Sequence, residues 1–170
     1  IYKEIKGDAQ RKSEALLSII SPRKEKSLIY AGTYTEIRKI TELVVARLEK
    51  IDRPHTSHFA RWLRENYQRD WVLADLVERG VGVHNGRMHR CLSQLQVLLF
   101  EHEKGFDSII STSSIIEGVN TSAQNVVIWK SKLGQTNLKD FTYKNIIGRG
   151  GRMFKHFVGN IYLLDSPPKE

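Results

Sequence analysis

Short, continuous apolar runs alternate along this chain with stretches whose apolar positions recur at helical spacing. The runs are Ser27–Gly32, Val81–Gly86, Ser108–Thr112, Asn125–Trp129 and Gly159–Leu164. They do not alternate apolar with polar, which is the pattern of strands covered on both faces in a parallel sheet. Between them, Ile37, Ile40, Val44 and Leu48, with Leu43 alongside, predict a helix from Thr33 to about Lys50. Thr33-Tyr34-Thr35-Glu36 opens it as a capping box, Thr33 at the N-cap and Glu36 at N3. Residues 1–20 read as a polar helix start that turns apolar at Ala15-Leu16-Leu17 and Ile19-Ile20, ended by Ser21-Pro22.

Trp71–Arg79 is predicted helical, with Trp71, Leu73, Leu76 and Val77 apolar and Gly80 as the stop. A longer helix covers about Met88–Glu103, with Leu92, Leu95, Val97, Leu98, Leu99 and Phe100 apolar and Gly105 ending it. The segment 52–70 is the least regular. Pro54 marks a break, and Phe59, Trp62, Leu63 and Tyr67 predict a helix packed through its aromatic side. A strand–helix–strand unit does not need it, so it reads as a helical insertion. The alternation of strands and helices predicts an α/β, three-layer fold with a mostly parallel central sheet. Ligands in such folds bind at the carboxyl ends of the strands. Chemistry is therefore expected at Gly32-Thr33, at His84 to Arg87 and at Thr112 to Asn120.

Composition narrows the partner. The 170 residues suit one domain, two at most, and 40% hydrophobic content suffices for a core. The net charge of +8 makes an anionic partner plausible, nucleic acid first. The competing view is that many soluble domains are basic, and Arg11-Lys12 and Arg23-Lys24-Glu25-Lys26 read as solvated faces. One cysteine, Cys91, permits no internal disulfide and points to a reducing compartment, the cytoplasm. It lies in an apolar helical pattern and is expected to be a buried, inert thiol. No apolar run reaches membrane-spanning length, and no membrane partner is expected. No signal peptide is visible, the first residue is isoleucine, and Ser166-Pro167-Pro168 opens a linker over 166–170; a fragment of a longer protein is the expectation. His55 and His58 lack further ligands nearby and read as solvated loop histidines, His84 as a structural turn residue, and His89 and His102 as solvated helix positions.

One octet carries distinctive chemistry. Asn145–Arg152 reads N-I-I-G-R-G-G-R, with Arg149 and Arg152 among glycines. Glycine lets the backbone approach a ligand, and the guanidinium presents planar donors suited to phosphate oxygens. Alone, the octet fits a basic surface turn at least as well.

Together the loops resemble the second, C-terminal RecA-like lobe of a superfamily-2 DExH helicase, in the Ski-like branch. Thr112–Asn120 resembles helicase motif V, and Asn145–Arg152 resembles motif VI, usually Q-x-x-G-R-x-G-R. Val83-His84-Asn85-Gly86 resembles the H-H-x-G or H-G element before the long helix, and Leu28–Thr33 resembles motif IV. The resemblance covers about residues 25–165. It implies a RecA-like fold for the whole of 1–170, with an N-terminal RecA-like lobe of the same protein as partner. It implies that Arg149 and Arg152 act as arginine fingers on the terminal phosphates of ATP. Gly118, Asn120 and Asn145 would contact the nucleotide. Thr112, Thr33 and Arg87 would contact the backbone of a single strand of DNA or RNA, with Arg90 as a weaker candidate.

Two departures stand out: Asn145 replaces the motif VI glutamine and is shorter by a methylene, and Asn85 stands where a second histidine is common. The chain carries no G-x-x-x-x-G-K-[ST] loop and no D-E-x-H or D-E-x-D run. In this family both belong to the first lobe, so ATP and Mg²⁺ would be held mainly there and this chain would be inactive alone. Two competing readings are a RecA-like nucleic-acid-binding module without motor function and a nucleotide-binding α/β domain of another class.

Overall fold

The computed structural model describes residues 2–5, 7–112, 123–133, 136–137 and 159–165. Its centre is a six-stranded, all-parallel sheet. The strands are β1 (Tyr2–Glu4), β2 (Ser27–Tyr30), β3 (Val81–His84), β4 (Ser108–Ser111), β5 (Asn125–Ile128) and β8 (Asn160–Leu163). They lie in the order β1-β8-β5-β2-β4-β3. A separate antiparallel pair, β6 (Lys132–Leu133) and β7 (Thr136–Asn137), follows β5. Five described helices accompany them: α1 (Ala9–Ile20), α2 (Tyr34–Arg47), α3 (Pro54–Asn66), α4 (Val72–Val77) and α5 (Arg90–Glu101). This is the α/β, three-layer RecA-like fold, with a sheet that is wholly parallel.

Every residue of β2, β3, β4 and β5 is buried, so both faces of the central sheet are covered. Leu28, Ile29, Ile109 and Ile110 are almost fully enclosed, as are Phe100 and Phe106. Each such side chain contributes roughly 1.5–3 kcal/mol by leaving water.

The first strand departs from the sequence expectation. Residues 1–20 were expected to be helical throughout, but Tyr2–Glu4 pairs with Ile161–Leu163 and the helix begins only at Ala9. Asp8 caps it, accepting a hydrogen bond from the Arg11 N–H at 2.9 Å. β1 is an exposed edge strand of three residues, two of them charged, so it carries no apolar run to reveal it. Short, charged edges also resist pairing with other chains.

The opposite edge, β3, is protected differently. Its Val83 N–H donates to Gln96 Oε1 of α5 at 2.8 Å. The Gln96 amide nitrogen is also bonded, 2.8 Å from Met88 Sδ and 3.4 Å from the Leu92 carbonyl. Leu92, Ser93, Gln96 and Phe100 therefore form the buried side of α5. Leu95, Leu98 and Cys91 face solvent, which corrects the expectation of a buried thiol.

Segment 52–70 does form a helix, α3, with Pro54 in its first turn, where its missing N–H costs nothing. Phe59, Ala60 and Leu63 enter the core. Trp62 and Tyr67, expected to pack inward, are 42% and 47% exposed. His55 and His58 are exposed on this helix, not on a loop. Arg64 ties α3 to α4 through Asp75 at 2.9 Å and Glu78 at 2.6 Å. The Glu78 carboxyl is held down at about 2, chiefly by that Arg64 bond and further by Lys50, against the opposing effect of burial. Arg53 binds Asp107 at 2.8 Å and the Gly105 carbonyl at 2.8 Å, tying the start of α3 to the approach to β4.

Candidate functional site

β2, β4 and β3 are neighbours in the sheet, so the loops at their carboxyl ends share one edge. Those loops carry Thr33, Thr112 and Arg87 respectively. Backbone bonds knit them together: Ala31 N–H donates to the Ser111 carbonyl at 2.8 Å, and Thr112 N–H to the His84 carbonyl at 3.3 Å. Three of the residues predicted to touch nucleic acid thus meet on one rim.

Thr33 is the N-cap of α2, its side chain accepting from the Glu36 N–H at 3.3 Å. Gly32 before it turns the chain with φ of +84°, a region that favours glycine. The first turn of α2 consequently directs its N–H groups towards the rim, where an anion is favoured. Thr112 is 8% exposed, lying at the mouth of the edge rather than proud of it. Arg87 is exposed, its guanidinium 4.1 Å from the centre of the Tyr34 ring. Arg90, the first residue of α5, is exposed as well. Asn85 shapes the Arg87 turn: its Oδ1 accepts from the Arg87 and Met88 N–H groups at 3.0 and 2.9 Å. This gives Asn85 a local backbone role. His84 is buried, and burial lowers its pKa.

The same edge continues past β5 into a charged cluster. Glu36 reaches across from α2, and its Oε2 accepts from Trp129 Nε1 at 2.7 Å. Its Oε1 accepts from Lys130 Nζ at 3.0 Å and Lys39 Nζ at 3.1 Å. Lys12 lies 4.5 Å from the centre of the Trp129 ring. Burial lowers the Lys12 pKa, with Lys130 and Lys39 adding to the effect against Asp165 and Glu36. Asp165 in turn accepts from the Ser131 N–H and hydroxyl at 2.8 and 3.2 Å. Three lysines therefore crowd one buried carboxylate beside the ends of β2 and β5. Among the described residues no group of three His, Cys, Asp or Glu could hold a metal ion, and no helix is long and apolar enough to cross a membrane.

The chain is 34% identical over 165 residues to anti-bacteriophage protein B of Escherichia coli (strain K12), covering 96% of this chain and 22% of that protein. It is 27% identical to DNA polymerase theta of Caenorhabditis elegans, over 91% of this chain and 10% of that one. It is 27% identical to the probable ATP-dependent RNA helicase DDX60-like of Homo sapiens, over 56% of this chain and 5% of that one. These likenesses suggest a helicase-like domain. The domain spans about a fifth or less of the length of these curated relatives. No family model matches it.

Of the predicted site residues, Gly118, Asn120, Asn145, Arg149 and Arg152 lie outside the described residues. Sequence reasoning missed Tyr34 and the Glu36–Trp129 pair. Tyr34 adjoins Thr33, and that adjacency was the available signal. Nothing local joins Glu36 to Trp129, which are 93 positions apart.

Glu36 also sets an acid limit on this edge. Burial pushes its carboxyl up, but the bonds from Trp129, Lys130 and Lys39 outweigh burial and hold it at about 2, against an ordinary 4.5. A group depressed on folding stabilises the fold above its unfolded pKa and loses that contribution as pH falls to its folded one. The full difference is about 3 kcal/mol, present above about pH 4.5, and roughly 2 kcal/mol of it is gone at pH 3. Urea unfolding at pH 6 and pH 3 should show Glu36→Gln losing about 2 kcal/mol less than the parent over that interval. An identical pH dependence in the two proteins would remove Glu36 from this role.

Proposed function

We propose that this domain is the second motor lobe of an ATP-dependent helicase or translocase acting on single-stranded nucleic acid, of the Ski-like superfamily-2 type. The convergence of Thr33, Arg87 and Thr112 on one strand edge carries the reading, because motor lobes of this kind grip phosphates from the carboxyl ends of their strands. Thr33 offers a hydroxyl and a helix N-terminus, Thr112 a hydroxyl, and Arg87 a guanidinium, which together suit a phosphate backbone read without regard to sequence. The Lys12–Lys39–Lys130 cluster supplies further positive potential along the same edge.

The chemistry needs a first lobe. ATP with Mg²⁺ would be held mainly by an N-terminal RecA-like lobe of the same protein. This chain would close upon it, presenting Arg149 and Arg152 to the terminal phosphates and Gly118, Asn120 and Asn145 to the rest of the nucleotide. The guanidinium charges stabilise the charge spread over the transferring phosphoryl oxygens. Closure and reopening of the two lobes would step the protein along its strand. The 34% identity to an anti-bacteriophage protein over almost the whole chain favours a role in defence against phage.

The decisive measurement is ATP turnover by the full-length protein with and without single-stranded DNA or RNA. Turnover should rise on adding strand and be absent from this chain alone. A full-length protein that binds strand but shows no strand-dependent turnover would instead be a binding module.

A further inference from the structure

Beside the Arg87 turn lies an open groove of roughly 390 Å³, lined chiefly by apolar surface. Tyr34, Tyr67, Trp71, Arg87, Met88 and His89 line it. The aromatic rings do not end at its wall. Trp71 lies 5.4 Å from Tyr67, centre to centre, and Tyr67 lies 5.6 Å from Trp62. Trp62, Tyr67 and Tyr34 all remain substantially exposed. Large aromatic side chains left in water along one continuous path mark a surface that binds something.

The charge on the groove says what. Arg87 lies across the Tyr34 ring, and among the described residues no carboxylate pairs with it. An exposed guanidinium above a ring beside further rings presents flat faces for stacking and a charge for a phosphate. The groove also adjoins the rim, since Tyr34 follows Thr33 directly and Arg87 belongs to both.

We propose that this groove receives an unpaired base of the single strand, stacked on Tyr67 and Trp71, while Arg87 holds the adjoining phosphate. The proposal rests on the reading of the domain as a strand-binding motor lobe and adds a base-contacting subsite to its phosphate grip. Stacking tolerates every base, so the subsite raises affinity for the strand without conferring sequence preference. It assigns α3 and the turn into α4 a purpose: they carry the aromatic wall.

The test uses the full-length protein and two fluorescent probes of equal length and charge. One is a single-stranded oligothymidylate, the other an abasic strand of the same backbone. Trp71→Ala and the more exposed Tyr67→Ala should each weaken oligothymidylate binding roughly tenfold and leave abasic binding unchanged. Trp71→Phe should restore most of the loss. The salt dependence of binding should be unaltered in these variants, whereas Arg87→Ala should lower its slope by about one phosphate contact.

Parent protein that binds base-bearing and abasic strands equally would overturn the groove and leave the motor-lobe reading standing. So would Trp71→Ala and Tyr67→Ala variants that bind oligothymidylate like the parent, and the groove would then serve a protein segment. Parent protein that binds neither probe would overturn the strand-binding reading itself. Variant folding is checked by the urea midpoint, and Tyr67→Ala decides the matter if Trp71→Ala fails to fold.

Discussion

Replacing Arg149 or Arg152 with alanine in the full-length protein should abolish strand-stimulated ATP turnover while leaving the fold intact. The expected loss is about a thousandfold to a hundred-thousandfold, the range over which arginine fingers act in phosphoryl transfer. The reason is electrostatic. Negative charge spreads over the γ-phosphoryl oxygens as the bond to the β-phosphate loosens, and a positioned guanidinium offsets it without any rearrangement. Lysine should rescue poorly, because a point charge on a flexible stem does not reproduce the planar fork. Strand binding in the absence of nucleotide should persist, since Thr33, Arg87 and Thr112 lie on other loops. The observable is the steady-state ATPase rate against strand concentration. Unchanged turnover in both variants would end the finger assignment.

The second large effect concerns stability. Gly105→Ala should destabilise the domain by roughly 3 kcal/mol or more. Gly105 N–H donates to the His102 carbonyl at 3.0 Å, and Phe106 N–H donates to the Leu99 carbonyl at 2.8 Å. This folds the chain so closely over the end of α5 that a Cβ on residue 105 would stand 1.8 Å from the Leu99 carbonyl oxygen. It would also stand 2.7 Å from the Leu99 carbonyl carbon. Backbone cannot rotate aside as a side chain can, so either the last turn of α5 or the approach to β4 must shift. That approach holds buried Phe106 and the Arg53–Asp107 pair, so the shift reaches the core. Gly86→Ala is the matched control. Its nearest neighbour, Tyr34 Oη, would be 3.9 Å from the new Cβ, an ordinary contact, and its effect should stay within about 0.5 kcal/mol. Urea unfolding of both variants checks the pair. A Gly105→Ala loss no larger than that of Gly86→Ala would refute the steric account.

The central strands were legible because burial on both faces forces a continuous apolar run, and such runs are visible without any fold. α2 was legible for a similar reason: its stripe of Ile37, Ile40 and Val44 faces the core and its capping threonine sits where the chain turns. α5 was legible as a helix but not as an orientation. Its apolar residues exceed one face, so the pattern could not say that Cys91, Leu95 and Leu98 face outward. The choice fell to Gln96, a polar residue drawn inward because the edge N–H of Val83 needs an acceptor. β1 was invisible because its strand character comes from its partner, β8, some 159 positions away.

The sequence by itself determined the alternation that makes a parallel α/β sheet, and the order of the loops that resemble helicase motifs. Both are local: each depends on side chains within one turn or one strand. Only the tertiary structure decided the strand order β2-β4-β3, which brings Thr33, Thr112 and Arg87 to one rim. It alone set Glu36 of α2 against Trp129 at the end of β5, and Tyr67 and Trp71 beside Tyr34 and Arg87. The physical reason is that pairing between distant strands and burial of charge are settled by the whole chain at once. A sequence window records which residues prefer to be buried, and the fold decides which of them meet.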